Sequence, residues 1–260
     1  MDLGTPLACG VDQHYKCWPI HTVITSDHDE FMHPGKIYTI GDVHGCNVEL
    51  EDLLNQLNLG EHDMVVFVGD LINRGPDSLA VLDIARNLPG AYCLLGNHEL
   101  RLNRYHQSGD RSILKDYDWE TIPKLSEQDW RFMQEFHPNL HFPGLQTVVV
   151  HGGFLPDKPW DEQSVDVVTQ IQVMNRKTGK WGKRSDVSGG ESWMKYWQGP
   201  PFVVTGHTPR SAVVRTKWSI CIDTGCVYGG KLTAYELTED QIFQVDARQP
   251  YVTKSLTTSA

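Results

Sequence analysis

With 260 residues, 40% hydrophobic and 22% charged, the chain is long enough to bury one sizeable core and too apolar to be disordered or fibrous. Its 23 Lys and Arg against 33 Asp and Glu leave a net charge of −10, which excludes a broad basic face for nucleic acid or anionic membrane. The 12 histidines raise the prospect of metal chemistry or catalysis, because imidazole is the commonest metal ligand and a frequent acid–base group.

Residues 1–35 carry Gly, Pro, Asp and His with no sustained period and read as an irregular N-terminal extension. The start lacks the cationic and apolar regions of a secretory signal, and no window approaches a membrane span. Cysteines at 9, 17, 46, 93, 221 and 226 form no CxxC pair, so free thiols and a cytoplasmic location are expected.

From Lys36 the pattern changes. Apolar runs of strand length recur at 36–40 (KIYTI), 64–68 (MVVFV), 91–95 (AYCLL), 147–150 (TVVV) and 202–205 (FVVT). Two helical stripes separate the first three: Val48, Leu50, Leu53, Leu54 and Leu57, then Leu79, Val81, Leu82, Ile84, Ala85 and Leu88 behind Asp77 and Ser78. This βαβαβ opening predicts a parallel sheet. A helical insertion is expected over about 100–142, where Ser126 and Asp129 fit a capping box. The close runs SAVVR, WSICID, KLTAYEL and QIFQV predict an antiparallel second half. The domain is thus a single α/β unit over 36–250, with 251–260 a loose tail.

Each of the five runs is followed by ligand-type residues: GDVHG at 41–45, GD at 69–70, GNHE at 96–99, HGG at 151–153 and GHT at 206–208. Sites in open α/β sheets form at the carboxyl ends of strands, so five such clusters converge on one crevice. Asp42, His44, Asp70, Asn97, His151 and His207 offer two carboxylates, one amide and three imidazoles. That set suits two divalent ions such as manganese, iron, cobalt or zinc better than calcium, and Asp70 has two oxygens with which to bridge them. Two ions about 3.5–4 Å apart can activate water and clamp a phosphoryl centre, so the pattern reads as metal-assisted hydrolysis of a phosphoester or phosphoanhydride.

The strings GDVHG, GDLINRGPDS, GNHE, HGG and GHT resemble, in order and spacing, the calcineurin-like metallophosphoesterases of the phosphoprotein phosphatase superfamily, over roughly residues 36–237. The longer strings GDLINRGPDSLAVL (69–82) and DTGCVYGGKLTAYEL (223–237) are most similar to the symmetrical bis(5′-nucleosyl)-tetraphosphatases and ApaH-like phosphatases. The resemblance implies a central β-sandwich flanked by helices. It also implies that Asp42, His44 and Asp70 hold one metal, that Asp70, Asn97, His151 and His207 hold the other, and that manganese is the expected ion. His98 becomes the general acid and Arg74 a phosphate clamp, for which a guanidinium is shaped. Arg176, in VMNRKTG, matches a second family arginine or is an exposed turn residue; Tyr228, in GCVYGG, touches substrate or fills a turn.

Protein phosphatases of the superfamily carry Asp before the motif arginine, where this chain has Asn73. An amide there is expected to accept a hydrogen bond from the His98 ring without supplying negative charge, leaving a weaker acid. A phosphate leaving group, with its last ionisation near ~6, tolerates that far better than an alkoxide near ~15.7. Hydrolysis of a phosphoanhydride is therefore expected, with diadenosine tetraphosphate split symmetrically into two ADP as the first choice. A serine/threonine protein phosphatase acting on phosphoproteins, a polyphosphatase and an RNA-cap hydrolase are the alternatives. Trp119, Trp193 and Trp197 read as core or cap residues rather than nucleobase platforms.

Overall fold

The computed structural model describes residues 22–23 and 35–253. In chain order, β1 (Thr22–Val23) precedes a βαβαβ unit of β2 (Ile37–Ile40), α1 (Asn47–Leu57), β3 (Met64–Phe67), α2 (Ser78–Asn87) and β4 (Ala91–Cys93). Helices α3 (Asn97–Ser108), α4 (Asp118–Thr121) and α5 (Glu127–Gln134) follow. Then come β5 (Asn139–Phe142), β6 (Thr147–Val150), α6 (Val165–Gln170) and a small sheet of β7 (Val173–Met174), β8 (Trp181–Gly182) and β9 (Glu191–Ser192). The last described strands are β10 (Phe202–Thr205), β11 (Val214–Arg215), β12 (Ser219–Cys221), β13 (Lys231–Glu236) and β14 (Gln241–Asp246).

Two larger sheets pack face to face, one ordered β14-β13-β2-β3-β4 and the other β1-β5-β6-β10-β12-β11. Both are mixed. Strands β2, β3 and β4 are parallel, as the βαβαβ pattern requires, and β13 joins β2 antiparallel. The second half is not uniformly antiparallel: after β10 the chain passes to β11 at the sheet edge, reverses, and lays β12 beside β10 in parallel. Strand β5 lies inside the expected helical insertion. Its sequence, NLHF, is too short and polar to stand out, and pairing with β6 makes it a strand. Within the stretch expected to be irregular, Thr22–Val23 pairs in parallel with Leu140–His141.

Between the sheets, Val66, Val68 and Leu94 form one buried cluster with Leu140, Val149, Val204 and Ile220. Leu50, Leu53, Val81 and Leu82 seal α1 and α2 onto the outer side of the β2-β3-β4 sheet. Val48, placed in the first stripe by its spacing, is exposed instead, because it lies two residues and about 200° round the helix from Leu50. In the tail, the Tyr251 and Val252 amides donate to the Val227 carbonyl, and residues 254–260 lie outside the described residues. Cys46, Cys93, Cys221 and Cys226 are buried and free, whereas Cys9 and Cys17 fall outside the described residues. No described helix is long and apolar enough to cross a membrane.

Two caps fix helix starts. Asp77 accepts from the Ala80 amide at 3.0 Å, while Ser78 turns back to accept from the Asn73 amide at 2.8 Å. At α5 the expected capping box forms: Ser126 Oγ accepts from the Asp129 amide at 3.3 Å, and Asp129 Oδ2 accepts from the Ser126 amide at 2.9 Å. Asp129 Oδ1 also takes Arg86 Nη1 at 2.8 Å. Burial would raise the Asp129 pKa, but Arg86 and Ser126 together hold it below the usual carboxylate range. Ser126→Ala should therefore cost about 1 kcal/mol in urea unfolding. A folded-state pKa below the unfolded value of about 3.9 stabilises above that pH. The Asp129 contribution should be complete at neutral pH and fade as pH falls through its folded pKa; an Asp129→Ala variant with wild-type stability at pH 7 would contradict it.

Candidate metal centre

Every ligand cluster sits where a parallel strand ends. Asp42 and His44 follow β2, Asp70 follows β3 and Asn97 follows β4, all from one sheet; His151 follows β6 and His207 follows β10, from the other. The chain must turn sharply there, and His44, Asp70, Asn73, Arg74 and His207 all adopt left-handed backbone, with φ between 47° and 74°. Such conformations strain residues that carry a Cβ, and they concentrate at working sites. Glycine appears where even a Cβ is too much. At Gly206 it would stand 2.2 Å from Asp42 Oδ1, and at Gly96 it would stand 2.3 Å from the Asp70 amide.

Asp70 is the hub. Its Oδ2 lies 3.6 Å from His44 Nε2, 3.5 Å from His151 Nε2 and 3.9 Å from His98 Nε2, while Oδ1 accepts from the His98 amide at 3.0 Å. Glu99 steadies the loop by accepting from the Asp70 and Leu71 amides at 3.0 and 2.8 Å. Across the seam, Asp42 Oδ1 accepts from the His207 amide at 2.9 Å, and Asn97 Oδ1 is 3.3 Å from His151 Nε2. Two sets of donor atoms result, one from His44, Asp70 and His98 and one from Asp70, His151 and His207, each set lying within 4.8 Å of one another.

Hydrogen-bond partners sort these four histidines into two kinds. His44 Nδ1 donates to Ile72 O at 3.0 Å, His151 Nδ1 to Val68 O at 2.8 Å and His207 Nε2 to Gln170 O at 3.0 Å. A carbonyl can only accept, so in the neutral ring the opposite nitrogen carries the lone pair a cation needs. His98 is the reverse. The Asn73 amide nitrogen lies 2.9 Å from His98 Nδ1 and donates to Asp118 Oδ1 at 2.9 Å. A flipped amide would set its oxygen against the Asp118 carboxylate, which Arg101 clamps through Nε at 2.7 Å and Nη2 at 2.8 Å. Asn73 therefore donates to His98 Nδ1 rather than accepting from it, contrary to the sequence expectation. His98 is left with its hydrogen on Nε2, an atom that is fully buried and has no hydrogen-bond partner among the described residues.

The electrostatics follow from burial among unlike charges. Burial and then Arg74 push the His44 pKa down to about 3; burial and then His151 do the same to His207. Burial, followed by the Asp223 charge, raises the Asp42 pKa. Burial works against ionised Asp70, but His151 and His98 hold its pKa well below the usual range. His151, disfavoured as a cation by burial, is raised to about 10 by Asp70. The buried carboxylates, the half-buried Asn97 amide and the carbonyl-anchored imidazoles in their neutral form fit two divalent cations, which would take the place of the proton on His151.

A cavity of about 460 Å³ opens on these residues. Asp42, His44, Asp70, Asn97, His207, Arg74 and Tyr228 line it, whereas His151 and His98 lie beneath the surface. Arg74 donates from Nη1 to His44 Nε2 at 2.8 Å, with its guanidinium 5.2 Å from the Tyr117 ring and 5.8 Å from the Tyr228 ring. Arg176 is not brought to the cavity: it sits exposed in a turn, 4.9 Å over the Tyr196 ring. The basic wall is instead Lys183, Arg184 and Arg210. Sequence reasoning passed these over, although Arg210 stands three residues beyond His207 in GHTPR. Asp223, also in the wall, lay within the quoted DTGC string.

A family model for calcineurin-like phosphoesterases matches residues 35–247. The chain belongs to that family. These phosphoesterases include a bis(5′-nucleosyl)-tetraphosphatase PrpE, designated asymmetrical, from Oceanobacillus iheyensis, 31% identical over 249 residues and covering 85% of this chain and 96% of that one. The same-named protein of Halalkalibacterium halodurans is also 31% identical, over 257 residues, covering 83% and 95%. A crystal structure described as that of a candidate diadenosine tetraphosphatase superposes with a TM-score of 0.75 at 28% identity, covering 87% of this chain and 97% of that one. The two mixed sheets flanked by helices are the α/β metallophosphoesterase fold, and the chain is a hydrolase similar to the bis(5′-nucleosyl)-tetraphosphatases. Its buried Asp and His clusters are of the kind that holds a dinuclear metal site in this family.

Proposed function

We propose that this phosphoesterase hydrolyses a phosphoanhydride of a dinucleoside tetraphosphate such as diadenosine tetraphosphate, giving a nucleoside mono- and triphosphate. The hydrogen bond from Asn73 to His98 carries the phosphoanhydride reading. With Nδ1 occupied as an acceptor, His98 offers Nε2–H as a neutral hydrogen-bond donor. Full transfer of that proton would leave an imidazolate. The site therefore suits a leaving group that needs its charge stabilised and not its oxygen protonated, as a phosphate does and a serine alkoxide does not. The symmetrical split expected from the sequence resemblance gives way to the asymmetrical one because relatives matched over 95% or more of their length carry that designation.

In this reading Asp42, His44 and Asp70 hold one divalent cation and Asp70, Asn97, His151 and His207 the other, with manganese the preferred ion. Bound cations supply positive charge for the phosphate and acidify water. Arg74, over the Tyr228 ring, orients phosphate oxygens through its paired N–H groups, and Tyr228 forms the adjoining wall. Lys183, Arg184 and Arg210 take the role expected of Arg176.

Product analysis with labelled diadenosine tetraphosphate tests the split: AMP plus ATP is expected, and two ADP would return the reading to the symmetrical class. Turnover of a phosphopeptide beside diadenosine tetraphosphate tests the role of Asn73. The wild type should favour the anhydride, and Asn73→Asp should shift the ratio toward the phosphopeptide by about tenfold or more, within the range of general acid catalysis. Faster phosphopeptide turnover by the wild type would refute the preference.

A further inference from the structure

A second cavity, of about 440 Å³, shares the lining residues Asn97 and Lys183 with the first, which places it beside the candidate metal ligand Asn97. In a chain of net charge −10 its lining is basic: Arg101, Arg104, Lys115 and Lys183 against the single acid Asp186. Two of the four are already engaged, Arg101 by Asp118 and Arg104 by Asp166 through both terminal nitrogens at 2.8 and 3.0 Å. Lys115 and Lys183 are exposed. The remaining distinctive element is Trp181 of β8, half-buried, packed against the apolar cluster around Phe154 and Trp193 and also lining the cavity. An indole anchored in this way is a rigid aromatic surface with little entropy to lose, and stacking on it accepts any nucleobase. The tryptophans noted from sequence do not have this placement: Trp193 and Trp197 are buried beside Phe154, and Trp119 lies under the Arg111 guanidinium and lines neither cavity.

We propose that the second cavity receives the second nucleoside arm of a dinucleoside polyphosphate, with its base stacked on Trp181 and its phosphates drawn by Lys115 and Lys183. The proposal rests on the phosphoanhydride reading for its substrate and adds a site for the half of the molecule that the metal cavity leaves over. A single-nucleoside polyphosphate would leave Trp181 unused. Trp181 then acts on binding and not on the reacting atoms, so its loss should raise KM without lowering kcat.

The test compares diadenosine tetraphosphate with adenosine 5′-tetraphosphate, which has one nucleoside, in the wild type, Trp181→Ala and Trp181→Phe. Stacking of one base corresponds to a 5- to 100-fold change, roughly. KM for the dinucleoside should rise by that factor in Trp181→Ala at unchanged kcat and recover largely in Trp181→Phe, while adenosine tetraphosphate stays within about twofold throughout. Equal effects on both substrates, or none on either, would overturn the proposal. A second measurement separates it from the reading it rests on. AMP is titrated calorimetrically into the full-length protein with chelator present. Binding that is lost in Trp181→Ala and kept in Trp181→Phe supports the cavity's assignment even if no nucleoside polyphosphate is hydrolysed, and binding equal in all three proteins overturns it.

Discussion

Asp70→Asn should lower kcat/KM by at least about a thousandfold and remove most divalent-cation binding while leaving the fold in place. Three imidazole nitrogens surround Asp70 Oδ2 at 3.5 to 3.9 Å, more than surround any other carboxylate oxygen among the described residues. An amide at this position keeps the shape and an oxygen able to accept from the His98 amide, and asparagine tolerates the left-handed backbone that Asp70 adopts at φ 52°. Only the charge and the second anionic oxygen are lost. Since the site must offset the charge of a phosphate through cations, losing the carboxylate shared by both donor sets removes much of the electrostatic stabilisation. Cation content by mass spectrometry, turnover and melting temperature in chelator check the three parts. Two bound equivalents with wild-type turnover would disprove the bridging role.

His98→Asn should reduce kcat by about a hundredfold to a thousandfold, the cost of losing one donor to a developing negative charge, yet leave cation stoichiometry unchanged. Proximity alone groups His98 with His44 and Asp70 as a possible ligand set. The hydrogen bonds decide otherwise: Nδ1 accepts from Asn73, so Nε2 bears the hydrogen and has no lone pair to give. A variant that loses its activity together with one cation would show that His98 is a ligand and that the Asn73 amide is turned. Activity lost at full cation content is the expected result.

Most of the scaffold was legible because its signals are local. TVVV and FVVT coincide with β6 and β10, and the three opening runs yield β2, β3 and β4. Glycine followed by a ligand-type residue marks the strand ends, where close backbone approach requires it. Other properties depend on distant partners. The direction of the Asn73–His98 hydrogen bond is set by Asp118, 45 residues away from Asn73, and nothing near GDLINRG announces it. Arg176 matched a family string but lies in an exposed turn, whereas the neighbours Lys183 and Arg184 and the distant Arg210 reach the cavity. Strand β5 exists through its pairing with β6 rather than through its own four residues.

The candidate ligands divide between the two sheets, and the layer packed between those sheets includes Val66, Val68, Leu94, Leu140, Val149, Val204 and Ile220. A sliding motion of one sheet over the other would carry His151 and His207 past Asp42, Asp70 and Asn97. Hydrocarbon packed as densely as an organic crystal resists such shear, so these aliphatic side chains act as a gauge block for the distance between charged groups they never touch. The inorganic chemistry of the seam is thereby tuned by methyl groups, and its tolerance is that of the interior's stiffness.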